Sequence, residues 1–122
     1  MPILDIELVV PDGSAPPAAP LAQALADAAG RALNAAPGGT WLRLYTLPAS
    51  QYAENGAAVA PEELPVFATL LQACPPQGAA LEAEVRVLTE ALAAALGRAP
   101  QRVHVLYAPA AAGRQAFGGE LR

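Results

Sequence analysis

Two short stretches of the sequence match each other, LRLYTLP at residues 42–48 and VHVLYAP at residues 103–109. Both are rich in aromatic and branched apolar residues, which is typical of β-strands. When their final prolines are aligned, Arg43 and His104 fall at the same position. This match suggests that the chain contains two copies of one structural unit.

The segments before each stretch follow the same order in both copies. Residues 3–10, ILDIELVV, place apolar residues on one face and Asp5 and Glu7 on the other, which predicts a first strand, and residues 64–72 predict its counterpart. Apolar residues then recur at helical spacing, which predicts an amphipathic helix in each copy. The two stripes are Leu21, Leu25, Ala29 and Leu33, and Leu81, Val85, Leu88, Leu92 and Leu96.

The breakers and the remaining strands complete a β-α-β unit that occurs twice. Pro37-Gly38-Gly39 and Gly97 are expected to end the two helices, and strands follow at residues 40–47 and 102–107. Each unit should connect parallel strands through a right-handed crossover. We therefore predict an α/β (α+β) fold, in which two β-α-β units form a four-stranded mixed sheet with both helices on one face. One domain should span residues 1–122, with pseudo-repeat units at about 2–56 and 62–122.

Composition excludes several classes of function. The chain has 122 residues, of which 54% are apolar and 15% charged, with a net charge of −4 and only arginines among its seven basic residues. We expect no nucleic-acid partner, because no basic stripe exists. The chain has no apolar run of about 20 residues and no signal-like start, so we expect a cytoplasmic protein without a membrane partner. We expect neither a metal nor an organic cofactor, because the sequence contains no cluster of metal ligands and no phosphate-binding loop.

Two motifs resemble the tautomerase superfamily, which includes 4-oxalocrotonate tautomerase and the macrophage migration inhibitory factor group. The first is MPILDIEL, residues 1–8, in which a proline follows the initial methionine and leads into a strand. The second is RVHVLYAPAAAGRQAFGGEL, residues 102–121, which looks like the closing strand and glycine-rich hairpin of 4-oxalocrotonate tautomerase. With the repeated β-α-β unit, the resemblance covers nearly the whole chain in its two-unit form, and it implies a homotrimer.

The resemblance implies that Pro2 is a general base once Met1 has been removed. An α-amino group titrates at about pH 8, and burial disfavours its charged form, so a neutral amine at pH 7 can take a proton from an enol or an acidic carbon. The implied function is keto-enol tautomerisation of a small 2-oxo or 2-hydroxy-enoic acid. Alternatively, Pro2 only begins the first strand, where its missing N–H costs nothing. If Met1 is retained, the nitrogen of Pro2 is a non-basic amide.

The resemblance also implies substrate-binding residues. Arg43 would hold a substrate carboxylate through two parallel hydrogen bonds, and His104 could donate a hydrogen bond or act as a second acid. Tyr52 and Phe117, in the hairpins after the second and fourth strands, would wall the pocket, and Arg114 could contribute to a neighbour's site. Each residue also has a structural interpretation. Arg43 would be a sheet-edge arginine and His104 an interface histidine. Tyr52 and Phe117 would be core aromatic rings, and Arg114 a solvated charge in a hairpin.

The sequence departs from the family pattern in ways that leave alternatives open. Asp12 falls where 4-oxalocrotonate tautomerase has a second arginine, so a dicarboxylate substrate becomes doubtful. Glu54 could be the added acid of hydratase and dehalogenase members, but we prefer a turn-stabilising function for it in Glu54-Asn55-Gly56. The alternatives are a Pro2-dependent hydratase, dehalogenase or decarboxylase of a small unsaturated acid, a catalytically silent trimeric binding protein of the same fold, and an unrelated α/β module.

Overall fold

The computed structural model describes every residue from Met1 to Arg122 and contains two helices, a four-stranded sheet and a short hairpin. The elements are β1 (Ile3–Val10), α1 (Pro20–Ala32), β2 (Trp41–Pro48), β3 (Val66–Leu71), α2 (Ala79–Leu96), β4 (Val103–Tyr107), β5 (Ala116–Phe117) and β6 (Glu120–Leu121). The predicted order, β-α-β followed by β-α-β, is confirmed.

The sheet joins the two units side by side in the order β2-β1-β3-β4. β1 is parallel to β2 and β3 is parallel to β4, whereas β1 and β3 are antiparallel at the centre of the sheet. The predicted mixed sheet is therefore confirmed. Because β1 and β3 run in opposite directions, the amino end of β1 lies at the same sheet edge as the carboxyl ends of β3 and β4.

One face of the sheet packs against both helices to form the core. Alternate residues of the central strands point to this face, and the apolar stripes of α1 and α2 cover them. The fully buried members include Leu4, Ile6, Val66, Leu70, Leu25, Leu88 and Leu92. No polar or charged residue is buried. Neither helix combines the length and the hydropathy that crossing a lipid bilayer would require.

The first helix ends earlier than the sequence predicts. We expected Pro37-Gly38-Gly39 to stop it, but α1 already ends at Ala32, because Asn34 adopts a left-handed conformation with φ of 53°. The Asn34 N–H donates to the Arg31 carbonyl, and the following N–H closes a second bond to the carbonyl of Gly30. Asparagine tolerates this conformation better than most residues. Gly97, with φ of 64°, ends α2 as predicted.

A half-buried arginine connects the two units beyond the end of α2. The Arg98 guanidinium donates to the carbonyl of Leu64 at 2.6 Å and to the carbonyl of Val9 at 2.9 Å. Desolvation lowers the pKa of Arg98 from its ordinary value. The side chain therefore satisfies two carbonyls at the end of the β1–β3 pairing, one from each unit.

The face of the sheet opposite the helices, which we call the outer face, carries exposed apolar side chains. Trp41 is 46% exposed, Tyr45 51%, Phe67 37% and Leu106 66%. These residues alternate along their strands with residues that point to the helices. Their presence on one face is typical of a surface that another protein or another copy covers.

Replacing a core leucine of α2 should destabilise the fold much more than replacing its neighbour. Leu88 is fully buried, whereas Val87 is 49% exposed. We expect Leu88→Ala to lower the free energy of unfolding by about 2–5 kcal/mol, because it leaves a cavity between sheet and helices. Val87→Ala should change it by less than about 0.5 kcal/mol. Urea unfolding followed by circular dichroism, at one protein concentration, measures both. Equal losses would contradict this description of the core.

Candidate active site

Pro2 lies at the edge of the sheet, directly before β1. Its carbonyl accepts a hydrogen bond from the backbone N–H of Trp41 at 3.0 Å, which extends the parallel pairing of β1 and β2 by one residue. Pro2 is half-buried, and the preceding Met1 is 48% exposed. A proline fits here because no N–H is required of it at the start of a strand.

The carboxyl-terminal segment returns to this same edge. The backbone N–H groups of Ala108 and Ala111 donate to carbonyls of β3 and the residue after it, so the chain continues alongside β3 beyond β4. Gly118-Gly119, with φ of 58° and 90°, then turns β5 into β6, as predicted for this glycine pair. The Phe117 ring stands edge-on to Trp41 with centroids 5.2 Å apart. Phe117 therefore lies beside the strand residue that bonds Pro2.

Arg114 occupies the turn before this hairpin. The residue is exposed, and its guanidinium makes no salt bridge or side-chain hydrogen bond within the chain. The structure thus places an unengaged cation on the same carboxyl-terminal segment as Phe117.

Arg43 lies on the outer face and is already paired with a carboxylate. Its Nε donates to Asp5 Oδ1 at 2.5 Å and its Nη2 donates to Asp5 Oδ2 at 2.8 Å. The two residues are direct neighbours in the register of β1 and β2. The hydrogen bond and the charge of Asp5 raise the pKa of Arg43. Sequence reasoning missed Asp5 as a partner, although its charge and its place on the polar side of β1 were visible.

Tyr52, Glu54 and His104 lie at the opposite edge. They form a group there with two further residues, Phe67 and Arg102, and we call this group the Glu54 cluster. The Tyr52 hydroxyl donates to Glu54 Oε2 at 2.7 Å, and Arg102 Nη2 donates to the same oxygen at 2.9 Å. The Phe67 ring contacts the rings of both Tyr52 and His104, with centroids 5.9 Å and 5.6 Å apart. Sequence reasoning found neither Arg102 nor Phe67, because both reach this group only through tertiary pairing.

The environment of Glu54 keeps its carboxyl ionised. The hydrogen bond from Tyr52, followed by the hydrogen bond from Arg102, lowers the pKa of Glu54 below its ordinary value. Glu54 also bridges to Ala57 across the turn that contains Asn55-Gly56. These contacts support the turn-stabilising interpretation of Glu54, and they make its carboxylate a weak base.

Within the chain the six predicted site residues are spread over three places. Pro2 and Phe117 lie at one edge with Arg114 on the adjoining segment, Arg43 lies on the outer face, and Tyr52 and His104 lie at the other edge. Arg43 and His104 both belong to the outer face, on the two outermost strands of the sheet. The single chain therefore does not bring all six into one pocket.

Three further features bear on ligand binding. Asp12 accepts a hydrogen bond from the backbone N–H of Ser50 at 3.0 Å and so ties the end of β1 to the turn after β2. No group of three or more His, Cys, Asp or Glu side chains is close enough to hold a metal ion. Two open grooves of about 810 and 570 Å³ lie along α1 and between the helices, and neither is lined by a predicted site residue.

Comparison with known proteins gives matches to solved structures only. No protein-family model matches the chain, and no curated protein matches it in sequence. A wild-type fused 4-OT, an asymmetric trimer, superposes with a TM-score of 0.71 over 96% of this chain and 94% of its own, at 24% identity. The chain has the fold of the tautomerase superfamily.

Other proteins with this tautomerase fold match over similar lengths. The macrophage migration inhibitory factor from Oncomelania hupensis matches with a TM-score of 0.72 over 100% of this chain and 83% of its own, at 20% identity. A malonate semialdehyde decarboxylase inhibited by 3-bromopropiolate matches with a TM-score of 0.69, at 18% identity, over 95% of this chain and 88% of its own. The fold implied by the sequence motifs is confirmed, and the neighbours include both tautomerase and decarboxylase structures.

The Glu54 cluster makes a prediction about titration. In Tyr52→Phe we expect the pKa of Glu54 to rise toward its ordinary value, because the largest contribution to its lowering is the hydroxyl hydrogen bond. Arg102→Gln should shift it in the same direction. The matched control is Tyr45→Phe, which removes an exposed hydroxyl that makes no hydrogen bond in the chain. Carbon-13 NMR titration of the Glu54 carboxyl measures each value. An unchanged Glu54 pKa in Tyr52→Phe would show that the hydrogen bond is absent in solution.

Proposed function

We propose that the protein is a cofactor-independent tautomerase that interconverts enol and keto forms of a small 2-oxo acid, with Pro2 as general base after removal of Met1. The observation that supports this most directly is the position of Pro2, which adjoins Trp41 and, through it, Phe117. Burial of an amine among apolar side chains removes it from water, which disfavours its charged form and lowers its pKa. The exposure of Met1 is compatible with its removal.

The chemistry needs only one group that carries a proton between two atoms of the substrate. The neutral amine of Pro2 takes the proton from the enol hydroxyl, and the O–H electron pair becomes the π bond of the carbonyl. The electron pair of the C=C bond then takes the proton back from the protonated amine and forms a C–H bond at the adjacent carbon. The substrate's carboxylate needs a cation or a set of donors. Arg43 and Arg114 are the proposed residues, with Tyr52, His104 and Phe117 enclosing the substrate.

A homotrimer is part of the proposal, because one protomer does not bring these residues together. The residues would meet if neighbouring copies made contact through their outer faces with the Tyr52 edge of one copy against the Pro2 edge of another. The exposed Trp41, Tyr45, Phe67 and Leu106 support contact through this face. The similar fused 4-OT is itself a trimer.

A decarboxylase that uses the same Pro2 is the second candidate. It is supported by the structural match to malonate semialdehyde decarboxylase, which spans nearly the whole chain. A hydratase gains less support, because the Glu54 carboxylate is engaged by Tyr52 and Arg102. Two assays separate the candidates. A tautomerase converts enol substrates to their keto forms, whereas a decarboxylase releases carbon dioxide from 3-oxo acids.

Replacing Pro2 should abolish most of the tautomerase activity. On protein whose mass shows that Met1 is gone, we expect Pro2→Ala to lower kcat/KM for ketonisation of phenylenolpyruvate by about 10²–10⁴-fold, the contribution typical of a general base. Pro16→Ala, in the exposed loop before α1, should leave the rate unchanged. An inactive wild-type protein with a free Pro2 amine would reject the tautomerase proposal and favour a silent binding protein.

Placing a charge on the outer face should prevent assembly. Leu106→Glu introduces a carboxylate where the side chain is 66% exposed in the protomer, so the protomer itself should still fold. We expect a smaller species in sedimentation velocity and loss of ketonisation, because the carboxylate would be desolvated at the interface. Val87→Glu, on α2, should leave both unchanged. A Leu106→Glu protein that sediments like wild type would contradict the trimer contact.

A further inference from the structure

Asp5 and Arg43 meet edge to edge, and this arrangement leaves the other edge of the guanidinium free. Asp5 takes the Nε–H and one Nη2–H, whereas Nη1 has no partner in the chain. The Arg43 side chain is 62% exposed and that of Asp5 40%. A guanidinium presents its donors in a planar fork on either edge, so Nη1 and the outward N–H of Nη2 form a second fork directed away from Asp5.

We propose that Asp5 is a positioning residue for carboxylate recognition: it fixes Arg43 so that the free Nη1/Nη2 edge binds the substrate's carboxylate. This inference rests on the proposed function and names the residue that prepares its binding site. An exposed arginine samples many rotamers, and ordering it on binding weakens affinity. The bidentate bond to Asp5 orders it before the substrate arrives.

The pair also implies a preference among substrates. Asp5 neutralises Arg43, and Glu7 adds a negative charge two residues further along the same face of β1. The site therefore offers directional donors without a net positive charge. It should accept one carboxylate with good geometry and disfavour a dicarboxylate.

A double-mutant cycle tests whether Asp5 acts through Arg43. We expect Asp5→Ala to raise KM for phenylenolpyruvate about three- to tenfold, the effect of losing one ordered side chain, while kcat stays within about twofold. In an Arg43→Ala background the same substitution should have no further effect. Glu90→Ala, on the exposed side of α2, is the control, since it removes an equal charge that has no bonded partner and lies away from Arg43, and it should not raise KM. Asp5→Asn, which keeps one acceptor oxygen and the side-chain size, should give an intermediate KM.

A binding measurement separates this inference from the proposed function. Trp41 is the only tryptophan and lies two residues before Arg43 on β2, so its fluorescence can report binding of 3-phenylpropionate. Wild type should bind this acid more tightly than its amide, and Asp5→Ala should lose most of that difference. If the acid binds in this way but enol turnover is absent, the tautomerase proposal fails and the Asp5 inference stands.

Three results would overturn the Asp5 inference while leaving Pro2-dependent turnover intact. The first is an unchanged KM in Asp5→Ala, and the second is an equal rise of KM in the Arg43→Ala background. The third is a lower KM in Asp5→Ala, which would show that Asp5 competes with the substrate for Arg43. A wild-type protein that neither binds the acid nor turns over the enol would reject both proposals.

Discussion

The antiparallel pairing of β1 with β3 is the contact on which the rest of the structure depends. It sets Leu4, Ile6 and Leu8 of the first unit beside Leu70, Ala68 and Val66 of the second, so both strands present apolar rows to the same pair of helices. Without this pairing the backbone of β1 and that of β3 would each lack a hydrogen-bonded neighbour on one side. Each β-α-β unit would then have only a two-stranded sheet, which is marginally stable on its own. The same pairing reverses the second unit, which sends the Tyr52 hairpin and the Phe117 hairpin to opposite edges.

The order of elements followed from the sequence because it rests on local periodicity. Apolar residues alternate in β1 and recur at helical spacing in α2, and Gly97 ends that helix because a left-handed residue is required there. The end of α1 was missed, because Asn34 adopts a left-handed conformation and ends the helix before Pro37-Gly38-Gly39, where we had expected the end. Asparagine carries a weaker signal for this conformation than glycine.

The side-chain partners were largely beyond sequence reasoning, because they depend on register. Asp5 bonds Arg43 only because β1 aligns residue 5 with residue 43, and another parallel register would have separated the two charges. Arg102 reaches Glu54 across 48 positions of the chain. The positions of Pro2 and Phe117 were easier to anticipate, because a strand start and a Gly-Gly turn are local features. What the sequence did not show is that the folded chain keeps Pro2 apart from Tyr52 and His104.

The equivalence of Arg43 and His104 has an evolutionary consequence. A protein assembled from identical single units must repeat every substitution at each symmetry-related position. Here both units belong to one polypeptide, so a substitution in one unit leaves the other unit unchanged. A planar guanidinium and a titratable imidazole now occupy positions that identical units would fill with one residue type. Two units within one chain can therefore differ in chemistry, so that one unit carries a new side chain while the other retains its own.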